Sequence, residues 1–390
     1  MADVSIAYGI RKKRILKGGS IVSLVDFNLV VDKFKAFAEH EIEPFALDLD
    51  LEPNTAWLKT VWQKSEVLGM PRLPLPESVG GSGYPDFCLA ILLDVLAAAC
   101  PGVASVYAHH YAACLALMNG DEGQIGRFFN MKMADTNHRS PIFAVLFPQH
   151  DRADKLNIRR SGDGLYVTGQ SCLTGNASFA DRFLVFADDR DAGNGMTCVV
   201  IDSKDRDLLF YEVIHLKGLK MNPMAAVYLK DVYIPTENIV GIRGEGKKIL
   251  EESLFSFHNF ISAMIMGSVR NAWKKAFDYA EDRYQFGAQI IHHHEVQRVL
   301  RRMMQKLDDG TSAYLRVLEG YRGGGEHSLE DTNAIRKLCR SCACDIILDA
   351  LKIQEGSPHI SDYGLEKIIR DVEALAELGG GRRQYLMYQS

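Results

Sequence analysis

Three consecutive glycines, Gly379, Gly380 and Gly381, run directly into Arg382 and Arg383 near the C-terminus. Glycine leaves the main chain bare, so its N–H groups can approach a ligand, and paired guanidinium groups suit an anionic substrate end. Two arginines after a helix also serve as a solvated charge pair. The preceding LEKIIRDVEALAEL places Ile368, Ile369, Val372, Leu375, Ala376 and Leu378 at helical spacing, so the glycines end an amphipathic helix that carries Glu377 in its last turn. A second segment of interest is DRYQFG, where Arg283, Phe286 and Gly287 close a long helix-patterned run. Cys339, Cys342 and Cys344 cluster in another such run, without a second ligand set at zinc-site spacing, and read as reduced thiols. His292, His293 and His294 are adjacent, so on a helix they splay around the axis. No metal site is expected.

The elements that position these residues fall into three regions. A chain of 390 residues with 47% hydrophobic and 24% charged residues buries a large core in two or three domains. Its net charge of −5 disfavours nucleic acid as a partner, and the basic run Arg11 to Arg14 reads as a solvated patch. No secretory signal pattern opens the sequence, so a cytoplasmic protein is expected. The most apolar stretch, Cys88 to Ala108, is broken by Asp94, Pro101 and Gly102 and predicts two buried helices rather than a membrane span.

Residues 1–138 are expected to form an N-terminal helical domain, with VDFNLVVDKFKAFAEHEIEPFA closed by Pro44 and further helices at LKTVWQKSEVLGM and DEGQIGRFFNMKMA. Between 139 and 240 the period changes. IFAVLF, LNIRR, LYVTGQSCL, RFLVFAD, TCVVIDS, LLFYEVIHL and AAVYLKDVYI alternate with turn-forming stretches and predict a small antiparallel β-domain. GIRGEGKK then links to a C-terminal helical domain, 241–390. One long helix is expected from Ile249 to Gly287, a second from near His293 and a third from about Asp331 to Gln354, forming a bundle that contributes to a subunit interface.

This α+β order, together with LPESVGGSG at 75–83, LYVTGQ at 165–170, LKDVYIPTENIVG at 229–241 and RYQFG at 283–287, resembles the acyl-CoA dehydrogenase family. The resemblance spans nearly the whole chain and implies a helical domain, a β-domain and a four-helix bundle. It also implies FAD held between the last two, with a neighbouring subunit of an oligomer completing the site. In such enzymes a carboxylate removes the α-proton of an acyl thioester while the flavin accepts the β-hydride.

Position by position, the resemblance sets Arg283 against the FAD pyrophosphate and Phe286, with Gly287, beside the cofactor. The plain alternative is a helix cap at Arg283 and a core position for Phe286. His294 stands where the family has a glutamine, and Lys352, Glu355 and Gly356 stand for its glutamine and diglycine motif. Glu355 adds bulk and negative charge near a pyrophosphate, which Lys352 partly offsets. Leu173, Thr174 and Gly175 take the place of the set along the flavin ring, and FPQHDRAD, 147–154, replaces the usual threonine-glutamate-proline loop.

The two positions that carry the base in this family are Gly379, nine residues after Arg370, and Phe257, ten before Gly267. Neither is a carboxylate. His258 and Glu377 are neighbouring substitutes, with plain readings as a hydrogen-bonded helix residue and a solvated helix end. The resemblance also makes the Gly379 N–H a donor to the thioester carbonyl, so enolate stabilisation without a base is a second possibility, with Arg382 and Arg383 at an anionic substrate end. A third is a catalytically silent subunit paired with an active paralogue, and a fourth a thioester-binding protein without flavin. The expected ligands are thus FAD and an acyl thioester of CoA or a carrier protein, and the expected assembly is a homo-oligomer or heteromer.

Overall fold

The computed structural model describes residues 14–17, 20–129, 139–148, 155–162, 164–192, 195–204, 209–322, 328–354 and 364–378. A short hairpin, β1 (Arg14–Lys17) with β2 (Ser20–Ser23), precedes the first helix, where helical pattern alone was expected from about residue 21. Helix α1 (Leu24–Phe37) continues as a π turn and a short 3-10 segment that contains Pro44. Helix α2 (Thr55–Glu66) starts at Asn54, whose side chain accepts from the Ala56 and Trp57 N–H groups, as an N-cap should.

The apolar stretch forms α3 (Asp86–Ala99) and α4 (Pro101–Leu117). Cys100 is extended and Pro101 opens α4, whose first N–H has no helical partner anyway. Both helices are buried nearly all round, which marks a central core helix. No helix among the described residues is long and apolar enough to cross a membrane. Helix α5 (Glu122–Phe129) completes this part.

All seven β-patterned runs become strands of one sheet: β3 (Phe143–Leu146), β4 (Asn157–Ser161), β5 (Gly164–Thr174), β6 (Arg182–Asp188), β7 (Met196–Asp202), β8 (Leu209–Val213) and β9 (Ala225–Ile234). Their order is β3-β6-β4-β5-β9-β8, with β7 on β6. Two pairings depart from the expected antiparallel pattern: β6 runs parallel to β3 and, at one residue pair, to β4. The β4–β5 hairpin is inserted between β3 and β6, which supplies the crossover a parallel pair needs.

Helix α6 (Gly246–Asp282) is the axis of the C-terminal bundle, packed by α7 (His294–Arg322), α8 (Leu329–Gln354) and α9 (Leu365–Glu377). It lies hard against α3: a Cβ on Gly267 would stand 2.1 Å from Asp94 O. The buried Asp94 carboxylate is satisfied there by Arg270, at 3.1 and 3.2 Å, and by Tyr314 Oη at 3.0 Å. Cys339 and Cys342 are buried in α8.

One expectation for α6 is corrected. The helix ends at Asp282, not at Gly287. Arg283 has extended backbone, and Tyr284–Gln285 (β10) pairs with Ala288–Gln289 (β11) across a two-residue turn. Phe286 and Gly287 take φ of +52° and +84°, which a right-handed helix cannot contain and a type I′ hairpin turn requires.

Candidate active site

His109, on α4, stands at a buried junction of the three regions. A Cβ built on Gly175, just past the end of β5, would lie 2.3 Å from His109 Nε2, so glycine is what lets the imidazole sit there. On the other side the Phe257 ring of α6 lies 4.7 Å from the His109 ring, centroid to centroid. Phe147 continues the cluster, 5.3 Å from Phe257 and stacked on Phe186 at 6.3 Å. Below the imidazole is a polar net. His109 Nδ1 donates to Ser105 O at 2.7 Å, and Asn222 Nδ2 donates to Ser105 Oγ at 2.8 Å. Asn222 Oδ1 accepts from Asn176 N at 3.0 Å, and Asn176 Nδ2 donates to Val106 O and Phe143 O. Asn176 adopts φ of +64°, a conformation asparagine tolerates, and this lets the chain turn past Gly175. Burial pushes the His109 pKa down to about 4, against the pull of its hydrogen bond to Ser105 O.

The hairpin at 284–289 is the opposite environment. Phe286 is 95% exposed at its tip, so the plain reading of this residue as core is wrong. An aromatic side chain at positive φ stores roughly 1–3 kcal/mol of backbone strain. Among the described residues the aromatic neighbour of its ring is His293, edge-on at 6.2 Å. Arg283 is exposed and has no side-chain hydrogen bond or ion pair among the described residues. His294, the first residue of α7, is exposed too. Lys352 is exposed on α8 and shares Asp349 with Arg302, which grips that carboxylate at 2.8 and 2.5 Å.

The remaining candidates lie apart from these groups. Thr174 is buried, its hydroxyl 2.9 Å from Ser171 Oγ. Phe257 is buried in the aromatic cluster. His258 lies on the face of α6 that meets α8, where its Nδ1 donates to Thr332 Oγ1 at 3.1 Å, since the threonine hydroxyl itself donates to Leu329 O. Glu377 is exposed and 3.7 Å from the Arg340 guanidinium. Just past it, the buried Arg336 donates to Leu378 O at 2.7 Å and fixes the end of α9. Glu355, Gly356, Gly379, Arg382 and Arg383 lie outside the described residues, as does 149–154 of the loop after β3.

Residues 26–134 match the family model for the acyl-CoA dehydrogenase N-terminal domain, and residues 244–387 match the model for the acyl-CoA dehydrogenase C-terminal domain. The chain belongs to the acyl-CoA dehydrogenase family. Among its relatives is the cyclohex-1-ene-1-carbonyl-CoA dehydrogenase of Geobacter metallireducens, 24% identical over 91% of this chain and 94% of that protein. The 3-(aryl)acrylate reductase of Clostridium sporogenes is 26% identical over 87% of this chain and 91% of that protein. Of solved structures, the butyryl-CoA dehydrogenase of Megasphaera elsdenii superposes with a TM-score of 0.81 at 20% identity, covering 93% of this chain and 96% of that one.

The titratable side chain at this junction, His109, is one that the sequence analysis did not single out. The apolar stretch as read stops at Ala108, one residue short of the His109–His110 pair. Two adjacent histidines on a helix otherwise made almost wholly of apolar and small residues are the signal that was available. A buried imidazole needs a reason to be there.

Proposed function

We propose that the chain is an FAD-dependent oxidoreductase acting on the Cα–Cβ bond of an acyl thioester, carried by CoA or a carrier protein, in an assembly of two or more copies. The observation that carries this reading is the hairpin: an exposed guanidinium at Arg283, unpaired among the described residues, beside a strained, exposed Phe286. Those are the residues that the family resemblance sets on the pyrophosphate, and their exposure in one chain suits a cofactor shared with a neighbouring copy. Arg283 would hold the diphosphate through its fork, and Phe286 would cover the cofactor. His294 and Lys352 add donors on the same side of the reading, Lys352 with part of its charge already engaged by Asp349. When bound, FAD supplies the electron acceptor for the β-hydride. Relatives named as dehydrogenases and as an acrylate reductase support CH–CH chemistry in either direction.

The test is direct. The purified protein is expected to be yellow, with flavin absorbance retained through gel filtration as an oligomer. Arg283→Ala should lower flavin occupancy at least tenfold while leaving the circular dichroism spectrum unchanged. A colourless protein that takes up no added FAD sinks the reading. The apolar residue at position 257 is the observation that favours a second one, a subunit completing a paralogue's cofactor site without turning over. Robust oxidation of acyl-CoAs by the chain alone with an artificial electron acceptor would overturn that.

A further inference from the structure

Two positions that the family resemblance assigns to different parts of one reaction centre touch the same imidazole. Gly175 stands for a residue along the flavin ring, and Phe257 for an alternative location of the base. The first approaches His109 so closely that a Cβ would be 2.3 Å from Nε2, and the second sets its ring 4.7 Å from the imidazole, tilted by 58°. Neither carries a proton acceptor. His109 is the titratable side chain where they meet.

Its state is preset by its partners. Ser105 O can only accept, so Nδ1 carries the hydrogen and Nε2 keeps the lone pair. Among the described residues no hydrogen bond reaches Nε2; the Asn222 amide, 3.4 Å from Nδ1, donates to Ser105 Oγ instead. Burial is the main cause of the lowered pKa and no charged neighbour adds to it, so the imidazole is neutral at pH 7 and about as basic as a carboxylate. His110 provides the contrast. Burial lowers its pKa equally, but its Nε2 donates to Pro71 O at 2.7 Å and its Nδ1 accepts from Phe143 N at 3.3 Å. Both of its nitrogens are used by the fold, whereas His109 keeps one in reserve.

Building on the reading that the chain binds an acyl thioester, we infer that His109 Nε2 takes the α-proton of the acyl group, as the catalytic base that positions 257 and 379 do not supply. The Cα–H bond breaks, the proton passes to Nε2 to give an imidazolium, and the electron pair stays on the acyl group as the enolate. In the reverse step the imidazolium returns the proton to Cα. Glycine at 175 follows from this role, because any larger residue would push the imidazole from its place.

Acetoacetyl-CoA isolates the step, since its acidic α-protons allow deprotonation without oxidation and its enolate absorbs in the near ultraviolet. On rapid mixing with the flavin-loaded protein, enolate should appear at least 100-fold faster than in His109→Gln, with thioester affinity changed less than about threefold. Gly175→Ala keeps the histidine but displaces it, and an intermediate slowing of at least tenfold is expected; it also serves if His109→Gln does not fold. Enolate appearing at the wild-type rate in either variant overturns the inference. If the wild-type protein binds neither FAD nor thioester, the functional reading falls and this one with it. Wild-type binding and turnover beside an undiminished His109→Gln would remove this inference alone.

Discussion

The hairpin at 284–289 and the junction around His109 hold residues that the family resemblance assigns to one cofactor, yet they solve opposite physical problems. At the hairpin, Phe286 is exposed and strained and Arg283 has no side-chain partner among the described residues, so the segment has stabilising interactions still to gain. At the junction, Phe257 and Asn222 are buried and engaged, and the one imidazole nitrogen left over stands out against that background. Under the proposed function, readiness for a ligand takes the form of a whole exposed surface in one region and of a single lone pair in the other.

The sharpest way to break this contrast is to truncate the same residue type in both places. Phe257→Ala should cost about 3–5 kcal/mol, read as a lowered urea midpoint at unchanged m-value, because a buried ring leaves a cavity behind. A loss below about 1 kcal/mol would mean that the aromatic cluster is loosely packed. Acid is the next largest lever. An unfolded histidine protonates near pH 6.5, but His109 and His110 in the fold do so only at about 4, so the unfolded state binds more protons between those values. Stability is therefore complete above pH 6.5 and falls as pH drops toward 4, by about 3 kcal/mol for each histidine. Urea midpoints recorded across that window should show a shallower fall in His109→Gln, and superimposable profiles would refute the burial argument.

Smaller effects sharpen the comparison further. Gly175→Ala should cost about 1–3 kcal/mol by overpacking against the His109 ring. At the hairpin, Phe286→Gly should raise stability by up to about 1 kcal/mol, because glycine accepts φ of +52° freely and no packing is lost. The same substitution should lower flavin content. A hairpin residue whose removal helps the fold and harms the cofactor would be hard to explain except as part of a binding surface.

Much of the fold could be read from the sequence because its signals are local. Seven β-branched runs gave seven strands, and the break at Pro101 separated two buried helices as expected. What failed were features decided across the chain. The parallel pairing of β3 with β6 depends on an inserted hairpin, and the end of α6 depends on two consecutive positive φ values that the letters Phe-Gly only hint at. The site split in the same way. Arg283 and Phe286 carry a local motif and could be singled out as candidates from the letters, whereas His109 belongs to no motif and becomes notable only when the fold brings Gly175 and Phe257 to it.

Arg370 entered the sequence reading only as a marker to count from, and the structure gives it and Asp371 a mechanical part. Arg370 donates to Lys217 O at 2.6 Å and clasps Asp50 at 2.6 and 3.2 Å, while Asp371 accepts from Leu219 N at 2.6 Å. A Cβ on Gly218 would lie 2.1 Å from Arg370 O, so nothing larger fits between the loop and the helix. Burial opposes ionisation of Asp50, but hydrogen bonding and charge from Arg370 outweigh it and hold its carboxyl below the usual range. Through these two adjacent residues α9 is bolted to the helical region before the sheet and to the loop between β8 and β9. In a hydrogen-exchange experiment the Leu219 amide would trade its proton only when all three parts let go together, making a loop residue one of the slowest reporters of global opening.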